Sequence, residues 1–491
     1  MSDLRVLIVD LNNFARYPTL AVGYLSSILR KEKISTHVLS PLAHGVEGMS
    51  REPVETLWQD VARRTSFSLA GARGIGARVL PWVQRSRRWY AERSHVRIVQ
   101  LFDSSEPFRY DVVLVSAYLM YHRVCEEIGR RCDELGVPLL IGGSYFADDE
   151  VAKAWLSIPG LTALVRGEVE ADLADLTRAA ATHADLSQFE GVSVPGRLGM
   201  ARAPLTLLDD VPIPDFSGFP WHRYPVRIVP VITGRGCGWG VCSFCSDVQS
   251  ATGRSFRTRR PDLVLDELEE QSRRYEACDF VFTDLKLNSN LEMWTQLIES
   301  LPARVNGPAW ICSVHVGTRG PNGLDRRTLE AARRAGLQRI TTGLESASQR
   351  LLDSLHKGTD LATSSRFFHD ARAAGVSVRV TMMHGSPGET EDDVIASAGF
   401  LERHRDAIDR VNLNRFQFML GTRIMHRYDA CPEQLPDIEA GARIPHLALA
   451  DHRLRTLTAG YRRATQRLLR AVHEINRKSL DARAQQFIGV M

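Results

Sequence analysis

Short apolar runs alternate with helical patterns along most of the chain, and this alternation constrains the fold more than any other feature. In the first third, apolar runs at 6–9, 37–39, 111–116 and 138–143 alternate with helical patterns at 20–29 and 122–135. Strands that are joined by helices of this length pair in parallel. The pattern therefore predicts an α/β fold that begins with a Rossmann-like, doubly wound parallel sheet over residues 1–185.

A second series of strand and helix patterns follows. Its apolar runs lie at 226–232, 279–283, 309–314, 338–343, 376–383 and 411–418. A closed barrel of parallel strands needs eight such units, whereas six are present here. The series predicts a partial (β/α)6 TIM-type barrel over residues 226–435.

Three segments do not fit either series. Residues from about 45 to 105 are rich in arginine and are interpreted as a helical insertion, either solvated or capping a substrate site; their GARGIG run (71–76) is a poor phosphate loop because no strand precedes it. Residues 186–225 are predicted to be a linker, because Leu208–Asp215 carries two prolines and no helical period. From Asp451 onward, apolar residues recur at helical spacing, which predicts a C-terminal helical region over 436–491. These residues are Leu454, Leu457, Tyr461, Leu468, Val472 and Ile475.

Composition narrows the cellular setting. The formal net charge of +4 is too small for 491 residues to indicate a nucleic acid or an anionic membrane as partner. The sequence has neither a signal-peptide pattern nor an apolar run long enough to span a membrane, so a cytoplasmic location is expected. Eight cysteines are then expected to be reduced, and a local cluster of them indicates a metal site.

Such a cluster follows the first strand of the predicted barrel. The segment Gly236-Cys237-Gly-Trp-Gly-Val-Cys242-Ser-Phe-Cys245 places three cysteines within nine residues. A closed cluster or a structural zinc site needs a fourth ligand, and the nearest upstream histidine is His222. Three thiolates on a four-iron cluster would leave one iron open for chemistry. The alternative is a chance group of three buried cysteines.

This segment resembles the cluster loop of the radical S-adenosylmethionine superfamily, and the whole chain resembles the subgroup with an N-terminal cobalamin-binding domain. The resemblance implies that Cys237, Cys242 and Cys245 bind a [4Fe–4S] cluster. Phe244 matches the aromatic residue that precedes the last cysteine. The usual loop has three residues between its first two cysteines, whereas this chain has four, 238–241.

Three further motifs resemble segments of the same superfamily, in the same order. Phe282-Thr-Asp284 resembles the end of its second strand, Gly343-Leu-Glu345-Ser346 its fourth-strand segment, and Gly385-Ser-Pro-Gly-Glu389 its adenine-side motif. Asp284 and Glu345 also have a simpler reading, as helix N-caps or ion-pair partners. The resemblance implies that S-adenosylmethionine is bound by Phe244, Thr283, Asp284, Glu345, Ser346, Gly385 and Pro387.

The same resemblance implies a bound cobalamin at the carboxyl ends of the first sheet. The better-known cobalamin motif Asp-x-His-x-x-Gly is absent, because Asp10-Leu-Asn-Asn follows the first strand. No histidine is thus placed to be the lower cobalt ligand, which also fits a degenerate domain that binds nothing. The implied cobalamin contacts are Asn12, Ser116, Tyr118, Gly142, Gly143, Ser144, Arg166, Gly167 and Glu168.

Together, these resemblances imply an enzyme that cleaves S-adenosylmethionine reductively. The leading hypothesis is a cobalamin-dependent methyltransferase acting on an unactivated carbon of a small-molecule, secondary-metabolite substrate. It would take electrons from a donor such as flavodoxin or ferredoxin. Two alternatives stay open: a radical cyclase, mutase or oxidase that transfers no methyl group, and a non-catalytic iron–sulfur sensor.

Overall fold

The computed structural model describes residues 4–50, 55–69, 95–246, 255–318, 320–454 and 458–490. Within them, the chain forms two six-stranded sheets, one after the other along the sequence. Helices flank both sheets, and a small three-stranded sheet and further helices complete the C-terminal part. The α/β fold class predicted from the sequence is confirmed.

The first sheet has the strand order β2-β1-β3-β4-β5-β6. Its strands pair in parallel except for β6, which is antiparallel to β5. The apolar strand residues, such as Val6 to Val9, are buried, as expected for a sheet that is covered on both faces. The strands are β1 (Arg5–Val9), β2 (Ser35–Leu39), β3 (Val112–Ser116), β4 (Leu139–Gly142), β5 (Leu161–Val165) and β6 (Val192–Ser193). The flanking helices are α1 (Leu20–Lys31), α4 (His122–Leu135), α5 (Asp149–Trp155) and α6 (Leu173–Ala181).

The second sheet is the predicted partial barrel. Its order is β14-β13-β12-β11-β10-β7, every pair is parallel, and β7 and β14 are its two edges within the described residues. The strands are β7 (Ile228–Val231), β10 (Asp279–Phe282), β11 (Ala309–Val314), β12 (Leu337–Glu345), β13 (Ser377–His384) and β14 (Arg410–Arg415). The helices are α7 (Pro261–Tyr275), α8 (Leu291–Arg304), α9 (Arg326–Arg334), α10 (Gln349–Ser354), α11 (Leu361–Ala373) and α12 (Glu391–Arg403).

Part of the predicted linker, residues 186–225, belongs to the first sheet, because β6 lies within it. The proline segment Leu208–Asp215 contains neither strand nor helix and is held at its C-terminal end. Asp215 accepts hydrogen bonds from Arg30 of α1 at 2.5 Å and from Arg274 of α7 at 2.9 Å. Gln271 donates to the carbonyl of Pro214 at 2.8 Å. The linker therefore joins a helix of the first sheet to a helix of the second.

The predicted start of the C-terminal helix is wrong. Residues 449–454 form a strand, β17 (Leu449–Leu454), which pairs with β16 (Ile438–Ile444) and β15 (Phe418–Met419). The pairing satisfies the backbone of this segment between strands, so its helical spacing of apolar residues is overridden. The helix α14 begins later, at Ala459, and runs to Asn476 with Thr458 as its N-cap. Leu457 lies outside the described residues. Two short helices flank this region, α13 (Arg423–Ala430) and α15 (Ala482–Gln485).

The arginine-rich insertion is described in part. It contains helix α2 (Leu57–Leu69) and a further helix, α3, that includes residues 95–104. The GARGIG run lies outside the described residues. Glu55 accepts a hydrogen bond from Arg63 at 2.7 Å and lies 3.3 Å from His473 of α14, so the insertion is attached to the C-terminal helix. No helix among the described residues combines the length and apolar character that crossing a bilayer requires.

Candidate functional site

The three clustered cysteines lie on a loop whose base is closed by a short hairpin. Strand β8 (Gly234–Arg235) pairs antiparallel with β9 (Arg257–Thr258). Gly236 adopts φ +86, and a Cβ atom there would lie 1.7 Å from the carbonyl oxygen of Ser255, so the loop needs glycine at this point. Cys237, Cys242 and Cys245 are all half-buried. Part of the loop between them and β9, residues 247–254, lies outside the described residues.

A buried ion pair lies beside the thiols. Nζ of Lys357 is 2.8 Å from Oε1 of Glu345, and both residues are more than nine-tenths buried, with exposures of 5% and 7%. Burial lowers the pKa of Lys357, but the charges of Glu345 and Cys242 outweigh it, so the net pKa is raised. A Cβ atom on Gly343 would lie 2.2 Å from Oε1 of Glu345, so this glycine makes the room for the pair. Lys357 also lies 5.8 Å from the ring centroid of Phe244. Of the two simpler readings of Glu345, the ion pair is therefore the one observed.

Asp284 supports the strand from which the cysteine loop starts. Its carboxylate accepts the backbone N–H of Thr233 at 3.1 Å and the Thr233 hydroxyl at 2.7 Å. Burial raises the pKa of Asp284 to about 6, and these hydrogen bonds oppose the shift. The hydroxyl of the neighbouring Thr283 donates to the carbonyl of Val231 at 3.1 Å. Both side chains thus fix the end of β7 next to the loop.

The segment Gly385–Glu389 is organised around the carboxylate of Glu389. The backbone N–H groups of Gly385 and Ser386 donate to its Oε2 at 3.0 and 3.4 Å, and the Tyr461 hydroxyl donates to its Oε1 at 2.8 Å. Burial raises the pKa of Glu389 to about 7. Pro387 is buried in the same turn. Ser346 is buried next to Ser397 of α12, with 3.5 Å between the two hydroxyl oxygens. The motifs of the fourth and fifth barrel strands therefore meet helices that lie behind them.

A cavity of about 590 Å³ lies between the carboxyl ends of the first sheet and the hairpin that carries the cysteine loop. Among its lining side chains, Oδ1 of Asn12 and the hydroxyl of Tyr24 are buried and have no hydrogen-bond partner among the described residues. The cavity brings together eight of the nine residues named for cobalamin: Asn12, Ser116, Tyr118, Gly142, Gly143, Ser144, Gly167 and Glu168. From the second sheet's side it is lined by Arg235, Gly236, Ser246, Arg257 and Thr283, among others.

Arg166 is the ninth of these residues, and it does not line the cavity. Its guanidinium donates to the carbonyls of Phe146 at 2.7 Å and Ala147 at 3.0 Å, and to Asp149 at 2.5 Å. Its side chain is 1% exposed. Arg166 therefore holds the loop that follows β4 in place.

Glu168 lines the cavity, but its carboxylate is occupied. Oε1 and Oε2 each accept a hydrogen bond from Arg257 at 2.8 Å, Oε2 also accepts the backbone N–H of Leu205 at 2.7 Å, and Arg235 lies 3.2 Å away. Arg235 also pairs with Glu170. These contacts connect the first sheet to both strands of the hairpin below the cysteine loop, a connection that no local sequence pattern indicates.

Comparisons with known proteins fit this geometry. The sequence model of the radical SAM superfamily matches residues 231–401, which contain the cysteine loop and all three further motifs. The resemblance of residues 231–401 to the radical S-adenosylmethionine superfamily, inferred from the sequence, is therefore confirmed.

Curated relatives match over part of their length. An uncharacterized methyltransferase of Pyrococcus horikoshii is 25% identical over 50% of this chain and 53% of its own. The bacteriochlorophyllide d C-12(1)-methyltransferase of Chlorobaculum tepidum is 25% identical over 60% of this chain and 61% of its own. The anaerobic magnesium-protoporphyrin IX monomethyl ester cyclase of Rubrivivax gelatinosus is 28% identical over 48% of this chain and 43% of its own. The chain thus spans about half the length of these relatives.

Two solved structures share the fold over nearly the whole chain. The radical SAM methyltransferase TsrM of Kitasatospora setae, with cobalamin and a [4Fe–4S] cluster bound, has a TM-score of 0.66 at 15% identity over 96% of this chain and 89% of its own. The cobalamin-dependent radical enzyme OxsB, with aqua-cobalamin and S-adenosylmethionine bound, has a TM-score of 0.67 at 16% identity over 95% of this chain and 66% of its own. These likenesses establish that the two-sheet arrangement is a known fold.

Proposed function

We propose that this protein is a radical S-adenosylmethionine enzyme whose [4Fe–4S] cluster is held by Cys237, Cys242 and Cys245. The observation that carries the proposal is the thiol-bearing loop beside the Glu345–Lys357 ion pair, inside the domain that matches the superfamily. Three thiolates leave one iron without a protein ligand, where S-adenosylmethionine can bind. A cluster held in this way supplies the electron that breaks the bond between sulfur and the 5′-carbon.

The chain's own residues would bind the cofactor and exclude water. Glu345 and Lys357 offer a carboxylate and an ammonium group beside the thiols, for the polar groups of the methionyl or ribose part. Gly385 and Pro387 form a turn that Glu389 holds through backbone N–H groups, on the side proposed for adenine. The proposed contacts with S-adenosylmethionine are Phe244, Thr283, Asp284, Glu345, Ser346, Gly385 and Pro387, with Asp284 acting mainly on the end of β7.

We further propose that the cavity between the two sheets binds cobalamin. Oδ1 of Asn12 and the Tyr24 hydroxyl are buried polar atoms with no hydrogen-bond partner in the described part of the chain, and such atoms are costly unless a ligand satisfies them. The peripheral amides of cobalamin supply N–H donors and carbonyl acceptors of the kind that these two atoms need. No histidine lines the cavity in the described part of the chain, so the proposal includes no histidine ligand to cobalt. Cobalamin supplies a metal that can carry a methyl group.

The reaction proposed is methylation of an unactivated carbon of a small-molecule substrate. One S-adenosylmethionine gives up its methyl group and leaves as S-adenosylhomocysteine. A second is split by one electron into methionine and a 5′-deoxyadenosyl radical, which takes a hydrogen atom from the substrate and leaves as 5′-deoxyadenosine. Joining the substrate radical to the methyl group consumes a second electron. A one-electron carrier in the cytoplasm, such as flavodoxin or ferredoxin, is the proposed source of both electrons.

A second candidate is a radical cyclase of the same architecture. It is favoured by the match to the Rubrivivax gelatinosus cyclase, whose identity of 28% exceeds that of the two methyltransferases. A cyclase needs one S-adenosylmethionine for the radical and none for methyl transfer. The products formed from S-adenosylmethionine therefore distinguish the two candidates.

The test is anaerobic reconstitution of the full chain with iron, sulfide and cobalamin. Iron and sulfide analysis and an absorption spectrum then report on both cofactors. Incubation with S-adenosylmethionine and dithionite is expected to yield both 5′-deoxyadenosine and S-adenosylhomocysteine. Deoxyadenosine alone would favour the cyclase candidate. A protein that binds the cluster and S-adenosylmethionine but yields neither product would instead be a sensor.

A further inference from the structure

Trp239 is one of the four residues between Cys237 and Cys242, and its indole ring contacts His356 and Gly358. Its Nε1 donates a hydrogen bond to the carbonyl of His356 at 2.8 Å. On the other side of Lys357, the ring lies against the backbone of Gly358. The indole therefore contacts the residue before Lys357 and the residue after it.

Gly358 is shaped for this contact. It adopts φ +67, and a Cβ atom there would lie 2.0 Å from the indole ring of Trp239. Any side chain at this position would displace the ring, and φ in this range favours glycine in any case. Ring and glycine thus form one packed unit.

His315 supports the ring from a third direction. Its imidazole is stacked on Trp239 with 5.4 Å between ring centroids and 26° between planes. Asn288 fixes the backbone of His315, because its Oδ1 accepts the His315 N–H at 2.8 Å and its Nδ2 donates to the His315 carbonyl at 3.0 Å. Trp239 therefore packs on a residue just after β11 whose backbone is fixed by two hydrogen bonds.

The cysteine loop contacts the same segment at a second point. The backbone N–H of Ser243 donates to the carbonyl of Leu355 at 3.0 Å. Between the two contacts, Lys357 extends toward Glu345, with which it forms the buried ion pair, and past the ring of Phe244. The contacts of Trp239 and Ser243 with residues 355–358 therefore set the position of this ion pair relative to the three thiols.

We infer that Trp239 is a positioning residue for S-adenosylmethionine: it fixes the Lys357–Glu345 pair relative to the cluster thiolates, and thereby sets the affinity for the cofactor. The inference rests on the proposed function and deepens it. It also gives the additional residue of this loop a role, since that residue lengthens the segment from which the indole reaches the sheet edge. A tryptophan with a purely structural role would affect stability but leave cofactor affinity and the cluster's response to the cofactor unchanged.

Two substitutions test the inference in the reconstituted full-length protein. Trp239→Phe keeps an aromatic ring but removes the hydrogen bond to His356, and Gly358→Ala forces the indole away. We expect Trp239→Phe to weaken S-adenosylmethionine binding about fivefold, as the loss of one hydrogen bond predicts, and Gly358→Ala to weaken it more than about tenfold. Both variants should keep the wild-type iron content. Calorimetric titration with S-adenosylmethionine measures the affinity.

An electron paramagnetic resonance spectrum of the reduced cluster, with and without S-adenosylmethionine, supplies a second measurement. The change in g values that the cofactor causes in the wild type should be smaller or altered in both variants. Trp58→Phe is the matched control, because Trp58 is 83% exposed on α2, and it should behave as the wild type.

Three outcomes would overturn the inference. If both variants bind S-adenosylmethionine with wild-type affinity and show the wild-type spectral change, Trp239 does not position the cofactor, while the proposed function stands. If both variants lose their iron, Trp239 serves to retain the cluster instead. If the wild type itself neither binds the cofactor nor changes its spectrum, the proposed function fails and the inference fails with it.

Discussion

The cysteine loop and the inter-sheet cavity lie next to each other but differ in how their polar groups are satisfied. Around the loop, two buried carboxylates already have protein partners: Glu345 pairs with Lys357, and Asp284 accepts hydrogen bonds from Thr233. In the cavity, Asn12 and Tyr24 each keep a buried polar atom that has no hydrogen-bond partner within the ranges that the structure describes. The loop is thus organised before any ligand binds, whereas the cavity leaves polar atoms for a ligand to satisfy. This difference predicts that variants near the loop lose stability or metal, and that variants in the cavity lose ligand affinity.

The largest effect is expected for Cys242→Ala. Removal of one thiolate leaves two protein ligands for the cluster, so most of the iron should be lost and reductive cleavage of S-adenosylmethionine should fall by about a hundredfold or more. Iron and sulfide analysis and 5′-deoxyadenosine formation measure this. Cys278→Ala is the control, because Cys278 is exposed and outside the loop, and it should keep its iron. Equal iron content in the two variants would contradict the assignment of the cluster.

The next effect concerns the buried ion pair. Glu345→Gln leaves the ammonium of Lys357 buried without its counter-charge, which should lower the free energy of unfolding by about 3 kcal/mol. The exposed pair Glu402–Arg467 provides the control: Glu402→Gln should cost less than about 1 kcal/mol. Urea unfolding of the three proteins without cofactors measures both values. If the two variants lost similar amounts of unfolding free energy, the buried pair Glu345–Lys357 would contribute no more to stability than an exposed pair.

A pH effect follows from Glu389. Burial raises its pKa from 4.5 to about 7, so the folded state binds this proton more tightly than the unfolded chain. Its contribution to stability should therefore fall as pH rises from about 4.5 to about 7. Tyr461→Phe removes a hydrogen bond to the carboxylate and should cost about 1–2 kcal/mol at pH 8, and less at pH 5.

Unfolding free energies between pH 5 and pH 8 check this prediction. Glu389→Gln is the counterpart, because an amide does not titrate, and its stability should depend less on pH than that of the wild type. A pH dependence that is identical in the wild type and both variants would remove Glu389 as the cause.

The smallest effect is expected in the cavity. Tyr24→Phe removes a hydroxyl for which the described residues provide no hydrogen-bond partner, so the stability of the cofactor-free protein should be unchanged or slightly higher. Cobalamin affinity should fall about three- to tenfold, as measured by absorbance titration. Tyr275→Phe is the opposite case, because the Tyr275 hydroxyl accepts the Phe216 N–H at 2.8 Å and donates to Asp215 at 3.2 Å. It should cost about 1 kcal/mol of stability and leave cobalamin binding unchanged. If Tyr24→Phe destabilises the protein and leaves cobalamin affinity unchanged, the Tyr24 hydroxyl supports the fold and does not bind the ligand.

Local patterns in the sequence were sufficient for the elements that position the site. The run at 309–314 coincides with β11, and the helical pattern at 122–135 coincides with α4, because hydrophobic periodicity and flanking polar residues act within the element itself. The sequence pattern predicts a helix instead of the strand at 449–454, because the pairing of this strand with β16 depends on the tertiary structure. Apolar spacing alone does not show whether a segment finds a strand to pair with.

The candidate site likewise has parts that the sequence predicts and parts that depend on residues far apart in the chain. The cysteine spacing is a local pattern and is sufficient to locate the loop, whereas the eight predicted residues that line the cavity come from the family resemblance. Local sequence patterns cannot predict that Glu168 forms ion pairs, because its partner Arg257 is 89 residues away along the chain. Arg166 is a similar case: the family resemblance implies a ligand contact, but the carbonyl groups of Phe146 and Ala147 and the carboxylate of Asp149 satisfy its guanidinium. Which charged residues face a ligand and which support the fold is decided by such distant partners.

The pairing of Glu168 with Arg235 and Arg257 limits how the first sheet can be exchanged between homologous chains. Because the carboxylate of Glu168 pairs with both strands of the hairpin, the same contacts hold together the wall of the cavity and the base of the cysteine loop. If the first sheet were replaced by that of a homologue without this glutamate, the guanidinium groups of Arg235 and Arg257 would lose their shared acceptor. Chimeras are therefore expected to succeed only when the glutamate and its arginines travel together.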